Sequence, residues 1–342
     1  MTPERLQSLL SVFPRLTIGL VGDLFLDRYL DIEPGVAEMS IETGLEAYQV
    51  TQVRNYPGAL GTVVNNLAAL GVGKLVVATV VGDDGHGYDL LQAMQDLPVD
   101  ASPMVQDSQR LTPTYIKPMK QDKSGAWQEL NRLDVRTRAP LSDQSHRRLA
   151  ANVGELFVRV DGLIVLDQIV EENWGVVDER MRRVLKELSQ RDAKKLIYSD
   201  SRAFLSRFDF GILKGNRSEY ARAGGTLQSG AEMPLESVLE ALVKRNGRSM
   251  FCTVGEEGML VAQARAPMTL VPAFSVPPPV DICGAGDAAT SGIVASILAG
   301  ANELEAATVG NLVASITVQQ LGTTGTATPQ QVLQRYRESV GE

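Results

Sequence analysis

The densest chemistry in the chain lies in Asp281-Ile282-Cys283-Gly284-Ala285-Gly286-Asp287, which leads into 288–298, a run small and apolar enough to be a buried helix. Small residues here let the backbone come close to a ligand. A Gly-Ala-Gly turn that opens a helix aims several free N–H groups at one point, and the helix dipole adds positive potential there. Such a point binds phosphate. An ionised Asp287 in the first turn would sit beside a phosphoryl group in transit, placed to orient a hydroxyl and take its proton. Taken alone, the same spacing equally suits an acid that only favours the helix dipole.

Other patterns are less specific by themselves. Asn216-Arg217-Ser218-Glu219 reads as a helix N-cap with its capping-box partner. Thr253-Val254-Gly255-Glu256-Glu257-Gly258 ends a buried strand with a Gly-rich turn, as a plain hairpin would. Asp167 closes an apolar strand at the carboxyl end, where open α/β sheets place ligands. Asp27 suits a turn aspartate, and Lys117, Arg132 and Asp134 suit a solvated charged strand edge. Asp209-Phe210-Gly211 spells a magnesium motif of protein kinases but has no His-Arg-Asp loop upstream. Gly73-Lys74 lacks the leading glycine of a P-loop, and no Gly-x-Gly-x-x-Gly opens a helix after the first strand. With only His86, His146 and two widely separated cysteines, a zinc site or a Ser-His-Asp hydrolase has little to work with.

Taken together, the motifs resemble the ribokinase (PfkB-type) family of carbohydrate kinases, from Ile18 to about Val332. The stretch 281–287 is similar to the family's Asp-Thr-x-Gly-Ala-Gly-Asp signature, with Ile282 in place of the usual threonine. The resemblance implies Asp287 as catalytic base, the amides of Gly284, Ala285 and Gly286 as the anion hole, and Asp281 beside a cation. Gly22-Asp23-Leu24-Phe25-Leu26-Asp27-Arg28-Tyr29 and Arg132-Leu133-Asp134 look most like the heptose-7-phosphate kinase branch. Asp27, Lys117, Arg132 and Asp167 then fall on the acceptor side. Gly58, Ala59 and Thr62 occupy the N-terminal signature Gly-Gly-x-x-x-Asn, with Ala59 replacing a glycine and Thr62 replacing the asparagine. Thr62 can offer one hydroxyl but not a two-ended amide. On the nucleotide side the resemblance implies Thr253, Gly255, Gly258, Asn311 and Gly325 near ATP. Asn216 and Glu219 would hold Mg2+, largely through water. A monovalent cation such as K+ and a homodimer formed through the lid are also implied.

The elements that must position these residues are legible as patterns. Leu6, Leu9, Leu10 and Phe13 recur at helical spacing before an apolar run over 16–21. Similar runs at 75–81, 162–166, 195–198 and 250–254 are mostly separated by helical patterns, which predicts a largely parallel sheet. The segments 28–56 and 111–135 break the rhythm by alternating polar and apolar residues, as the strands of a small lid or as ordinary surface hairpins would. The expected architecture is α/β: one ribokinase-like three-layer domain over 1–342 with a small β lid.

Composition narrows the partners. Lys and Arg number 33 against 41 Asp and Glu among 342 residues, with no run of like charge, so nucleic acid is not expected as a partner. Two cysteines make no disulfide framework and suit a reducing cytoplasm. The longest apolar stretches fall short of the roughly 20 residues a membrane span needs, and Glu4 and Arg5 precede any apolar run, so a soluble, unprocessed chain is expected. The function expected is phosphoryl transfer from ATP to an alcohol of a sugar or sugar phosphate, a heptose 7-phosphate being the first specific guess. A degenerate relative that binds a ligand or partner without turnover is the alternative, favoured by the altered signature around Ala59 and opposed by the retained Asp287.

Overall fold

The computed structural model describes residues 1–341 apart from 96, 123 and 227–232. Nine strands form one sheet in the order Ala266–Pro272, Gly258–Gln263, Met250–Thr253, Ile212–Asn216, Leu196–Ser201, Gly162–Asp167, Thr17–Gly22, Lys74–Ala78 and Val99–Asp100. From Met250–Thr253 to Val99–Asp100 every pairing is parallel, and only the two edge strands before them run antiparallel. The central strands are apolar along their whole length because both faces are covered. In Gly162–Asp167, Ile164 and Leu166 face one core, and Leu163 and Val165 face the other. The first core is closed by Leu60–Ala69, Ala285–Leu298 and Glu303–Thr317, and the second by Asp143–Arg159, Glu179–Arg191 and Leu235–Asn246. That is the three-layer arrangement expected.

The two rhythm-breaking segments do pair with each other. Leu24–Met39 and Glu46–Ala59 form a long antiparallel hairpin, and Thr114–Gln121 joins Leu24–Met39 in parallel, with Trp127–Glu129 and Leu133–Val135 on its other edge. The lid strand begins at Leu24, earlier than the break at 28, so Asp27 lies on the lid itself. The apolar run 75–81 is two strands, Lys74–Ala78 and Val80–Gly82. They part at Thr79, whose hydroxyl donates to the Gly22 carbonyl over 2.6 Å. The cap-less turn into Leu60–Ala69 is made by Ala59 at φ 52°, ψ −112°, a conformation an L-residue holds only under strain. No helix among the described residues is long and apolar enough to cross a membrane.

Candidate active site

The helix Ala285–Leu298 is buried from Ala288 to Ser296, which fixes its first turn at the carboxyl edge of the sheet. Gly284 caps it at φ 76°, and a Cβ there would meet Thr324 Cγ2 at 3.3 Å and Thr62 Cγ2 at 3.4 Å. The left-handed dihedral favours glycine, and a side chain there would also be a tight fit. Three free amides were expected, but the Ala285 N–H donates to the Ile282 carbonyl over 3.1 Å, because the turn closes on itself. Ala285 therefore drops out as a donor. The N–H groups of Gly284 and Gly286 have no acceptor among the described residues and remain for an anion.

Asp287 is the third residue of this helix and half-buried. Burial pushes its carboxyl up to about 7, Lys214 opposes the rise, and the neighbouring charge of Asp200 adds to it. Lys214 is a buried ammonium that donates to Asp200 Oδ2 over 2.7 Å. It lies so close to the first turn that a Cβ on Gly286 would be 3.0 Å from Nζ. Burial pulls the Lys214 ammonium down, yet Asp200 outweighs it and the net movement is up. A fixed positive charge thus stays under the amides where a phosphate would rest, and a carboxyl poised near neutrality stands beside it.

Across the cleft the lid presents Asp27, with Lys117 Nζ 3.5 Å from its Oδ1. Lys117 also donates to Tyr29 Oη over 3.1 Å and lies over that ring. Burial raises Asp27, and Lys117 restrains the rise. Gly58 packs on this carboxylate so tightly that a Cβ would stand 2.8 Å from Asp27 Oδ2. The charge of Asp27 is felt at Asp287, and Cys283 feels Lys117, Asp27 and Asp287 together. Lid acid and helix acid therefore stand within charge–charge range of each other. Thr62 is buried, with its methyl toward Gly284. Arg132 sits further out, over the Tyr115 ring at 4.3 Å and paired with Asp134 at 2.7 Å. Asp167 is not part of this space. Its strand register turns it to the opposite layer, where its Oδ2 accepts from Ser201 Oγ at 2.8 Å and stands 3.9 Å from Arg182.

On the nucleotide side, Asn216 and Glu219 form a reciprocal capping box. The Glu219 N–H donates to Asn216 Oδ1, and Glu219 Oε2 accepts from the Asn216 N–H over 2.7 Å. Burial raises Glu219, and the charge of Asp200 raises it further. Asp281 spends both oxygens on backbone, accepting from Cys283 N at 2.9 Å and Gly322 N at 3.0 Å, so it ties two loops together. Among the described residues no group of three acidic, histidine or cysteine side chains could hold a metal.

Thr253 ends its strand, and Gly255 and Gly258 take φ 65° and 114° in the turn after it. A Cβ on Gly258 would fall 2.2 Å from the Val271 carbonyl. Asn311 donates its amide to the Val271 and Pro272 carbonyls over 3.0 and 3.1 Å, bracing that strand end rather than pointing free into a cleft. Gly325 packs on Thr317, where a Cβ would be 2.6 Å from the carbonyl oxygen.

Against known proteins, the description "pfkB family carbohydrate kinase" matches residues 36–331. The chain belongs to this family. The bifunctional protein HldE of Pelobacter propionicus is 30% identical over 96% of this chain and 65% of that protein. HldE of Trichlorobacter lovleyi is 28% identical over 97% of this chain and 65% of that protein. The chain thus spans just under two thirds of the length of these relatives. Ribokinase from Thermotoga maritima superposes with a TM-score of 0.67 at 17% identity, covering 94% of this chain and 99% of that one. Phosphofructokinase-2 from Escherichia coli gives 0.68 at 18% identity over 94% and 99%. Both share the fold.

Sequence reasoning gave no role to Asp200, Lys214 or Arg202, although each stands on or just past the carboxyl end of a parallel strand. The usable signal was cost: a lysine within Ile212-Leu213-Lys214-Gly215 is tolerated in an apolar strand only when paired. It also passed over Asp23, whose buried carboxylate accepts from the N–H groups of Gln168, Ile169 and Val176 and latches that loop to the first strand.

Proposed function

We propose that this chain is an ATP-dependent kinase that phosphorylates an alcohol group of a sugar or sugar phosphate, with Asp287 as general base. The observation that carries this reading is the juxtaposition at one helix turn of the Asp287 carboxyl, raised to about 7 by burial, the Gly284 and Gly286 amides without an acceptor among the described residues, and the Lys214 ammonium 3.0 Å from where a Gly286 Cβ would stand. Mg-ATP would lay its transferring phosphoryl over the Gly284 and Gly286 amides, above the Lys214 ammonium. Asp27 and Lys117 would hold the acceptor's hydroxyls from the lid. As the acceptor oxygen bonds to the γ-phosphorus and the bond to ADP breaks, Asp287 takes the hydroxyl proton. The amides and Lys214 stabilise the charge on the phosphoryl oxygens. Closure of the lid would keep water from competing.

Several finer points belong to the same proposal. A heptose 7-phosphate is the first acceptor to try, supported by the runs 22–29 and 132–134. K+ beside Asp281 and the 322–325 loop is supported by the way these two tie together. Phosphofructokinase-2 of Escherichia coli has itself been solved in complex with potassium. A homodimer through the lid is supported by Tyr48, Val53, Trp127 and Leu133, which stand 46–59% exposed on it. A reducing, cytoplasmic setting is supported by Cys252 and Cys283, both free thiols. The whole chain is taken as one kinase domain with its lid. The test is ATP consumption over a broad panel of free and phosphorylated sugars: dependence on any member supports the kinase, and none at all favours a protein that binds without turnover.

A further inference from the structure

The segments that enter and leave the lid meet at a buried charged node that takes no part in the chemistry above. Gly22, at φ 148°, runs so close to the next strand that a Cβ would stand 2.0 Å from the Leu166 carbonyl oxygen. The Asp23 N–H then donates to that carbonyl over 3.0 Å, and the Asp23 carbonyl accepts from the Leu60 N–H over 3.1 Å. The lid hairpin therefore starts and ends on one residue. Asp23 is 1% exposed, and its carboxylate takes three further N–H groups: Gln168 and Ile169 on Oδ2 at 2.8 and 3.0 Å, and Val176 on Oδ1 at 2.7 Å. Arg110, 6% exposed, lies four residues ahead of the lid strand Thr114–Gln121. Its Nη1 donates to the Trp174 carbonyl over 3.1 Å, in the loop that Asp23 holds, and it lies within charge–charge range of Asp23 and Asp107. The Leu26 N–H donates to the Pro113 carbonyl over 2.9 Å, which stitches this segment to the strand that Asp23 starts. Arg110 Nε has no hydrogen-bond partner among the described residues. A guanidinium buried with a donor unspent is costly, and filling space does not explain it.

We propose that Asp23, with the Arg110 charge beside it, is a positioning residue for phosphoryl transfer: it fixes the root of the lid, and thereby where Asp27 and Thr62 stand relative to Asp287. The inference rests on the kinase reading and adds to it a residue that acts through others and touches no substrate. Asp27 follows Asp23 along one strand, and Thr62 follows Leu60 in the first turn of its helix, so both ride on backbone that Asp23 anchors. At about 3.3 Å per residue Asp27 is about 13 Å out from the anchor, and a tilt of about 5° at the root carries it about 1 Å. A misplacement of about 1 Å can cost about 100-fold in rate. Residue type matters as much as place. An ionised carboxylate has lone pairs for all three loop N–H groups, whereas an amide has a single acceptor oxygen and turns its own N–H groups on at least one of them. Burial raises the Asp23 carboxyl, and the Val176 and Ile169 N–H groups, the Arg110 charge and the Gln168 N–H pull it back. Loop and guanidinium thus favour the ionised form of the group that holds them.

The test compares wild type with Asp23→Asn, Arg110→Met, Arg110→Lys and a control, Leu6→Ala. Leu6 is fully buried in the helix Pro3–Leu10, ahead of the amino end of Thr17–Gly22, so its truncation weakens the fold away from the site. Each variant is assayed equally far below its own melting temperature, by sugar-dependent ATP consumption and by amide hydrogen exchange without sugar. Asp23→Asn and Arg110→Met should lower kcat/KM for the acceptor about 10- to 100-fold while KM for ATP stays near wild type. Arg110→Lys keeps the charge and should recover part of the loss, and Leu6→Ala should leave acceptor kinetics near wild type. A fall shared equally by acceptor and ATP, or matched by Leu6→Ala, would make the node structural only. Arg110→Lys no better than Arg110→Met would strike out the charge. If Asp23→Asn does not fold, the Arg110 pair decides, and wild-type kinetics in both rejects the proposal. If no sugar is turned over, the kinase reading fails on its own and exchange decides the pivot. Faster exchange in Leu24–Met39, Glu46–Ala59 and 168–176, with Gly162–Asp167 and Ile212–Asn216 protected as in wild type, supports it. Unchanged or uniformly faster exchange rejects it.

Discussion

Lys214 donates to Asp200 Oδ2 over 2.7 Å beneath the first turn of Ala285–Leu298, with both side chains buried. Asp200 keeps the Lys214 ammonium charged in the interior next to the carboxyl that is to act as base, and Lys214 draws that carboxyl down while Asp200 pushes it up. Breaking a buried pair leaves one charge without compensation, at a cost of about 3–5 kcal/mol. Lys214→Met should therefore lose about that much stability in chemical denaturation. The double change Asp200→Asn with Lys214→Met should recover most of it without recovering turnover. Recovery of turnover as well would show that Lys214 is structural only.

The pH profile should follow Asp287. Its folded value is raised to about 7 against about 3.9 in an unfolded chain, so the acid is largely protonated at pH 6 and ionised at pH 8. A base must be ionised to accept a proton, so kcat/KM should rise with pH through an apparent value near 7 and level off above it. Stability runs the other way: the raised value favours the folded state below about pH 4, and that advantage is lost as pH climbs through 7. Asp287→Asn should accordingly raise the melting temperature at pH 8 and change it little at pH 4. A flat rate profile between pH 6 and 8 would contradict the assignment.

Ala59 stores strain at the mouth of the site, with φ at 52° and ψ at −112°. Glycine takes this conformation freely but has more freedom to lose on folding. With relief of about 1–3 kcal/mol set against an entropic cost of about 0.4–1, Ala59→Gly should stabilise the protein by about 1 kcal/mol. Thermal denaturation measures it, and a fall in stability would mean that the turn is not strained.

Gly58 and Asp27 make a complementary case. A methyl at position 58 would stand 2.8 Å from Asp27 Oδ2 and 3.0 Å from its Cγ. The carboxylate would have to shift, and its contact with Lys117 at 3.5 Å would shift with it. Gly58→Ala should raise KM for the acceptor about tenfold, one lost charge-assisted contact, while KM for ATP stays near wild type. An unchanged acceptor KM would remove Asp27 from the acceptor side.

The layers, the parallel sheet and the lid could be read from the sequence because each rests on a local period. The apolar runs at 16–21 and 162–166 are strands within a residue or so of where they were expected. Asp287 was equally legible, since glycines and an acid at the head of an apolar helix are a local device. What the sequence hid was direction and competition. Asp167 sits at the right strand end but on the wrong face, a matter of parity along the strand. Ala285 and Asp281 have the right chemistry but give it to their own loops. Asp23, Arg110 and Trp174 are distant in sequence, and only the pairing of the lid with the sheet gathers them.

The central claim is that Asp287 accepts the acceptor's proton, and the rate of sugar-dependent ATP consumption by Asp287→Asn tests it most directly. With the melting temperature and nucleotide affinity measured alongside to show an intact fold, the account predicts a loss of about 10²–10⁴-fold, the span for removing a positioned general base. If the substituted protein, folded and binding ATP, turns over at close to the wild-type rate, Asp287 is only a partner of the helix dipole and the mechanism is wrong.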